Sequence, residues 1–134
     1  MNKLEIIGWG SYLPEHTVCF NAQTRHRAGA GESQLGMLVT AARRALNKAG
    51  IAAAELDCIV CAAAVGVQPI PCTAALIHEQ IALGTAIPAL DINSTCTSFL
   101  TALDTVSYLI AAARYDTVLI VAGDLASCAL NPEQ

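Results

Sequence analysis

Hydrophobic and polar positions along this chain alternate between two periods, and the boundaries between them delimit the expected elements. Residues 4–13 mix β-favouring side chains with Gly8 and Gly10 and stop at Pro14, which predicts a first strand ended by a turn. From Pro14 to Glu32 the chain is polar and shows neither period, so a surface loop is expected there. Ser33 then stands where an N-cap would. Leu35, Leu38, Ala42, Ala45, Leu46 and Ala49 follow at helical spacing up to Gly50, the expected C′ residue, with Arg43, Arg44 and Lys48 on the charged face. The continuous apolar run 56–64 predicts a strand buried on both faces. A helix is expected over about 71–83, with Pro71 in its first turn and Gly84 closing it. A short strand over 87–92 follows. Residues 96–113 form a long helix whose core stripe is Phe99, Leu100, Leu103, Val106, Ser107 and Ile110, and 116–123 form another buried strand. The order βαβαβαβ implies an α/β unit with helices packed on a mainly parallel sheet. No repeat or linker divides the chain.

Composition narrows the partners. The 134 residues are 54% hydrophobic and only 13% charged, with a net charge of −4, which excludes a disordered chain and suits one domain with one core. The acidic balance and the lack of any basic cluster larger than Arg25/Arg27 or Arg43/Arg44 argue against nucleic acid. Mean hydropathy is high, +0.51. No apolar stretch approaches the roughly 20 residues of a membrane span, and the N-terminus does not read as a signal peptide, so neither membrane nor export is expected and the chain is placed in the cytoplasm. Much of the apolar excess is alanine, 25 residues. Surface so apolar is expected to be covered by a partner subunit or a missing half-chain.

Six cysteines carry the candidate chemistry. Cys58 and Cys61 have C-x-x-C spacing and invite a zinc or redox reading, but they fall in a predicted strand. Positions i and i+3 of a strand point to opposite faces, so the two sulfurs would not converge, and a structural role is expected; a stoichiometric metal would overturn this. Cys19, Cys72 and Cys128, at loops or element ends, are also expected to be structural. Cys96 differs, because residues 91–99 run from a strand into a long helix with the thiol at the turn. A helix N-terminus carries about half a positive charge and free N–H groups. Both stabilise a thiolate nucleophile. The residues alone leave two readings open, nucleophile and buried structural thiol.

The strand–Cys–helix segment and its neighbours resemble the N-terminal half of the β-ketoacyl-acyl-carrier-protein synthase III group of the thiolase-like condensing enzymes. Residues 6–14 look like the opening strand and turn, 41–50 the first helix ending in Ala-Gly-Ile, 56–64 the second strand, 70–75 the turn into the next helix, 91–100 the nucleophile segment, and 115–127 the strand leading to Gly123-Asp124-Leu125-Ala126-Ser127. The resemblance implies one half of the duplicated αβαβα layered fold, residues 1–134 being the N-terminal thiolase-like half and the C-terminal half absent. It implies that Cys96 takes an acyl group from acyl-CoA, its backbone N–H serving as an oxyanion donor, for condensation with malonyl-acyl-carrier protein in fatty-acid or polyketide-type biosynthesis. Ile70 matches a residue that crosses the dimer interface and bounds the partner's acyl tunnel; a merely packed helix-entry residue is its other reading. No metal or cofactor is called for. The catalytic His and Asn of the family lie in the C-terminal half, and His16, His26 and His78 are expected to be surface or loop residues instead. The segment after the first strand is short and lacks the family's CoA-holding Trp and Arg; Arg25 and Arg27 are the candidates for CoA phosphates, with solvated loop charges as the alternative. Ser98 stands where many members have Gly, which would narrow the space beside the thiol. Alone, the chain is expected not to turn over. It would act as a homodimer or with a partner bearing the C-terminal half. The rival is a non-catalytic scaffold or dimerisation subunit.

Overall fold

The computed structural model describes residues 4–128. Three parallel strands form the central sheet: β3 (Cys58–Ala62) in the middle, β4 (Ala89–Ile92) on one side and β5 (Val118–Ala122) on the other. A separate hairpin pairs β1 (Thr17–Phe20) with β2 (Gln23–His26). Three helices, α1 (Gln34–Ala49), α2 (Thr73–Ile81) and α3 (Ser98–Ala111), connect these strands. Among the described residues no helix is long and apolar enough to cross a membrane.

Local chemistry sets most boundaries as expected. Ser33 caps α1 by accepting the Gly36 N–H at 3.1 Å, and Gly50 closes it at φ 70°, a left-handed conformation that glycine adopts without a Cβ penalty. All five residues of β3 are buried, as its apolar run requires. Alternation then sorts the strands between two layers. Ile59, Cys61, Leu119 and Val121 face α1 and α2 and pack with Leu38, Ala42, Leu46 and Ile77. Cys58, Val60 and Ala62 face α3 through Ala102 and Val106. Burying a side chain such as Ile59 or Ile77 contributes about 1.5–3 kcal/mol, so these layers supply much of the stability.

Four expectations are corrected. First, residues 4–14 form no strand. Gly8 and Gly10 rest against α1 so closely that a Cβ on Gly8 would lie 2.6 Å from Ala45 O and one on Gly10 2.5 Å from Ala45 N. The segment leans on the helix, and a cleft of about 590 Å³ separates it from β5 and α3. Second, the expected loop 14–32 contains the β1–β2 hairpin. Its two-residue turn has Asn21 and Ala22 at φ 48° and 61°, the left-handed pair that matches strand twist. Third, Pro71 precedes α2, which begins at Thr73 with Cys72 as N-cap. Fourth, α3 turns Ser98, Ala102 and Val106 inward, while Phe99 and Leu100 are 46% and 64% exposed. The helix sits close over the small residues Cys58 and Ala62, and Ala102 fits that gap where a larger side chain would not.

Candidate functional site

The three parallel strands end side by side, Ala62 in register with both Ile92 and Ala122. In open α/β sheets this carboxyl edge is where ligands bind. After β4 the chain turns sharply. Thr95 takes φ 54°, unusual for a β-branched residue, and opens a 3₁₀ turn, Thr95–Thr97, that runs directly into α3. Cys96 lies in that turn, exposed, two residues ahead of the first α-helical residue. The sulfur therefore stands at the N-terminal tip of a 14-residue helix, as the sequence predicts, and not among the buried thiols.

A dense set of hydrogen bonds holds the turn. Asn93 Oδ1 accepts the Thr95 N–H at 2.9 Å, and Asn93 Nδ2 donates to Ala64 O at 2.8 Å. The Thr97 hydroxyl donates to Ser94 O at 2.8 Å. Ser98 Oγ accepts the Ser94 N–H at 2.9 Å and donates to Thr95 O at 2.6 Å. Ser98 is only 3% exposed, and its hydroxyl is spent on bracing the turn.

Carboxylates brace the neighbouring loops. Asp91, on β4, accepts the Thr73 and Ala74 N–H groups at 2.9 and 2.8 Å and so caps α2 from another strand. Asp124, after β5, accepts the Ala64 and Val65 N–H groups at 3.1 and 2.8 Å. Gln34 Nε2 donates to Val65 O and Gly123 O at 2.7 and 3.1 Å. At the opposite edge, Asp57 accepts the Asp116 and Thr117 N–H groups, each at 2.8 Å, and these bonds hold its carboxyl below the usual range. The partners of Asp91 and Asp124 lie 17–60 residues away, and nothing local announces them. Asn93 did carry a signal, since Asn readily accepts the N–H two residues on.

The other candidates fall elsewhere. Ile70, 86% exposed, lies on the β3–α2 loop with Val65 and Val67, which are 67% and 36% exposed. Arg25 and Arg27 line a cleft of about 970 Å³ between the hairpin, α1 and the chain after β5; neither Cys96 nor Ile70 lines it. Arg25 donates to Gln23 Oε1 at 2.5 Å, and the Arg27 N–H pairs with His16 O. His16 and His26 are exposed. His78 departs from expectation: it is a half-buried residue of α2, with Nε2 3.0 Å from the Thr85 hydroxyl. Cys58 and Cys61 face opposite layers of the sheet, so their sulfurs do not converge on one ion. Burial pushes the Cys58 thiol up and the Cys61 thiol up to about 12, which keeps both protonated and inert. Cys19 lies within β1 and Cys128 ends the 3₁₀ turn Ala126–Cys128.

Known proteins share this sequence pattern and this fold. Residues 90–134 match the family model of 3-oxoacyl-[acyl-carrier-protein] synthase III, a stretch that starts within β4 and holds Cys96, α3 and β5. The β-ketoacyl-[acyl-carrier-protein] synthase III of Rhodospirillum rubrum is 34% identical over 145 aligned residues, covering 94% of this chain and 44% of the relative. Among solved structures, the 3-oxoacyl-[acyl-carrier-protein] synthase III of Aquifex aeolicus superposes with a TM-score of 0.88 at 26% identity, covering 96% of this chain and 47% of that one. The corresponding enzyme of Pseudomonas aeruginosa gives 0.81 at 28% identity, with 96% and 45% covered. The chain thus spans a little under half the length of the relatives it matches. In sequence and in fold it matches the N-terminal half of 3-oxoacyl-[acyl-carrier-protein] synthase III-like proteins of the thiolase fold.

Proposed function

We propose that this chain carries the nucleophile of a condensing enzyme of the β-ketoacyl-acyl-carrier-protein synthase III type. The observation that carries the reading is Cys96 itself, exposed at the tip of α3 and at the carboxyl edge of the sheet, behind the left-handed Thr95. Its thiolate attacks the carbonyl carbon of an acyl-CoA. The Cys96 backbone N–H is one donor to the resulting oxyanion. The tetrahedral intermediate collapses with loss of CoA thiolate, which takes up a proton, and the acyl group stays on Cys96. Condensation with malonyl-acyl-carrier protein then requires the His and Asn of a C-terminal half. Residues 1–134 account for one half of a duplicated fold that works in the cytoplasm as a homodimer or hetero-oligomer, and turnover needs the other half as well. Arg25 and Arg27 are the candidates for CoA phosphates, and Ile70 for the tunnel and dimer contact.

Intact-mass analysis with acetyl-CoA and longer acyl-CoAs tests the reading. Wild type should gain one acyl group and Cys96→Ser none. An acyl group on another cysteine overturns the assignment. Failure of acylation, with Cys96 alkylated by iodoacetamide no faster than Cys19 at neutral pH, identifies the chain as a non-catalytic scaffold.

A further inference from the structure

The left-handed Thr95 is the strained point of the nucleophile turn, and besides Ser98 within the turn it is held by Asn93 just ahead of it. Left-handed geometry at a β-branched residue is strained and persists only where the surroundings over-determine it. Asn93 uses both ends of its amide: Oδ1 takes the Thr95 N–H at 2.9 Å and Nδ2 reaches Ala64 O at 2.8 Å. Ala64 is held in turn from the chain after β5, its N–H bonded to Asp124 Oδ2 at 3.1 Å and the next N–H, of Val65, to Asp124 Oδ1 at 2.8 Å. The bonds make a crossbar over the ends of β4, β3 and β5, with Asn93 as the member that meets the turn.

We infer that Asn93 is the positioning residue of Cys96: it holds Thr95 left-handed against the crossbar and thereby sets where the Cys96 backbone N–H and thiol point. The inference rests on the reading of Cys96 as the nucleophile. Asn93 touches no reacting atom; it acts through residue 95. The dependence has a sharp consequence. Glycine populates left-handed backbone unaided, so at position 95 it makes the clamp dispensable.

The experiment measures iodoacetamide modification of each cysteine by peptide mass in the 134-residue chain. Cys19, exposed, reports reagent and conditions; Cys58 and Cys61, buried, report that the core stays closed. Asn93→Ala should slow Cys96 alkylation about tenfold, within the range expected of a small misplacement, with Cys19 unchanged and Cys58 and Cys61 unmodified. Asn93→Gln, which keeps the amide but moves it one methylene further out, should slow it similarly and serves as the test should the alanine variant open the core. Adding Thr95→Gly to either variant should recover most of the rate, which a merely structural role would not produce. Wild-type Cys96 rates in both Asn93 variants, or no recovery with Thr95→Gly, overturn the inference. Acylation of wild type by acetyl-CoA is scored separately. If it fails while the alkylation pattern holds, the synthase reading falls and the positioning role stands; if it succeeds while the pattern is absent, the reverse holds.

Discussion

Ser98 offers the most direct test of how the turn is braced. The residue is 3% exposed and its hydroxyl makes two hydrogen bonds, from the Ser94 N–H at 2.9 Å and to Thr95 O at 2.6 Å. Ser98→Ala removes both and leaves the Ser94 N–H without its acceptor. A net hydrogen bond contributes about 0.5–1.5 kcal/mol and an orphaned polar group costs about 1–3 kcal/mol, so the loss should be about 2 kcal/mol. Alanine's better helix propensity offsets at most about 0.5 kcal/mol of this. With an unfolding entropy of about 2.1 cal/mol/K per residue, a chain this long loses about 7 °C in Tm for 2 kcal/mol. Thermal unfolding followed by far-UV circular dichroism reads this directly, and Cys96 alkylation on the same samples should slow because the turn loosens. A Tm within about 2 °C of wild type, with unchanged Cys96 alkylation, would refute the idea that this hydroxyl braces the Cys96 turn.

Two further outcomes test the packing and the electrostatics. Ala102→Leu should cost about 1–3 kcal/mol by overpacking against Cys58, Val60 and Ala62, whereas Leu100→Ser on the exposed face should stay within about 0.5 kcal/mol; urea unfolding ranks them, and the opposite order means α3 is turned the other way. Asp57, held below the usual carboxylate range by the Thr117 and Asp116 N–H groups, stays ionised in the folded chain at pH values where the unfolded chain has taken up its proton. Its stabilising contribution is therefore complete above the unfolded value of about 3.9 and is lost as pH falls through the lower folded value. The urea midpoint of Asp57→Ala should lie below wild type at neutral pH, and the gap should narrow as pH falls below about 3.9; a gap that ignores pH contradicts the assignment.

What the sequence determined by itself about this protein is what neighbouring residues decide among themselves. Ser33 and Gly50 delimit α1 because a cap and a left-handed stop act within one helical turn. The apolar run around Cys58 forms a fully buried strand, and strand alternation sends Cys58 and Cys61 to opposite layers. Cys96 reaches the tip of α3 because a strand followed by a helix must turn between them. The hairpin was not legible, because the polar and fully exposed residues of β2 hide the strand period. Only the tertiary structure decided which stripe of α3 faces inward, since the small residues of β3 beneath it select Ala102 over Phe99 and Leu100. Only it could show residues 4–14 leaning on α1, or Asp91 capping a helix 17 residues back in the chain. It alone assembled the crossbar from Asn93 through Ala64 to Asp124, whose members lie 29 and 60 residues apart. Hydrogen bonds and close packing between such distant residues have no local period; they exist once three strands end at one edge, and that edge is where the exposed thiol stands.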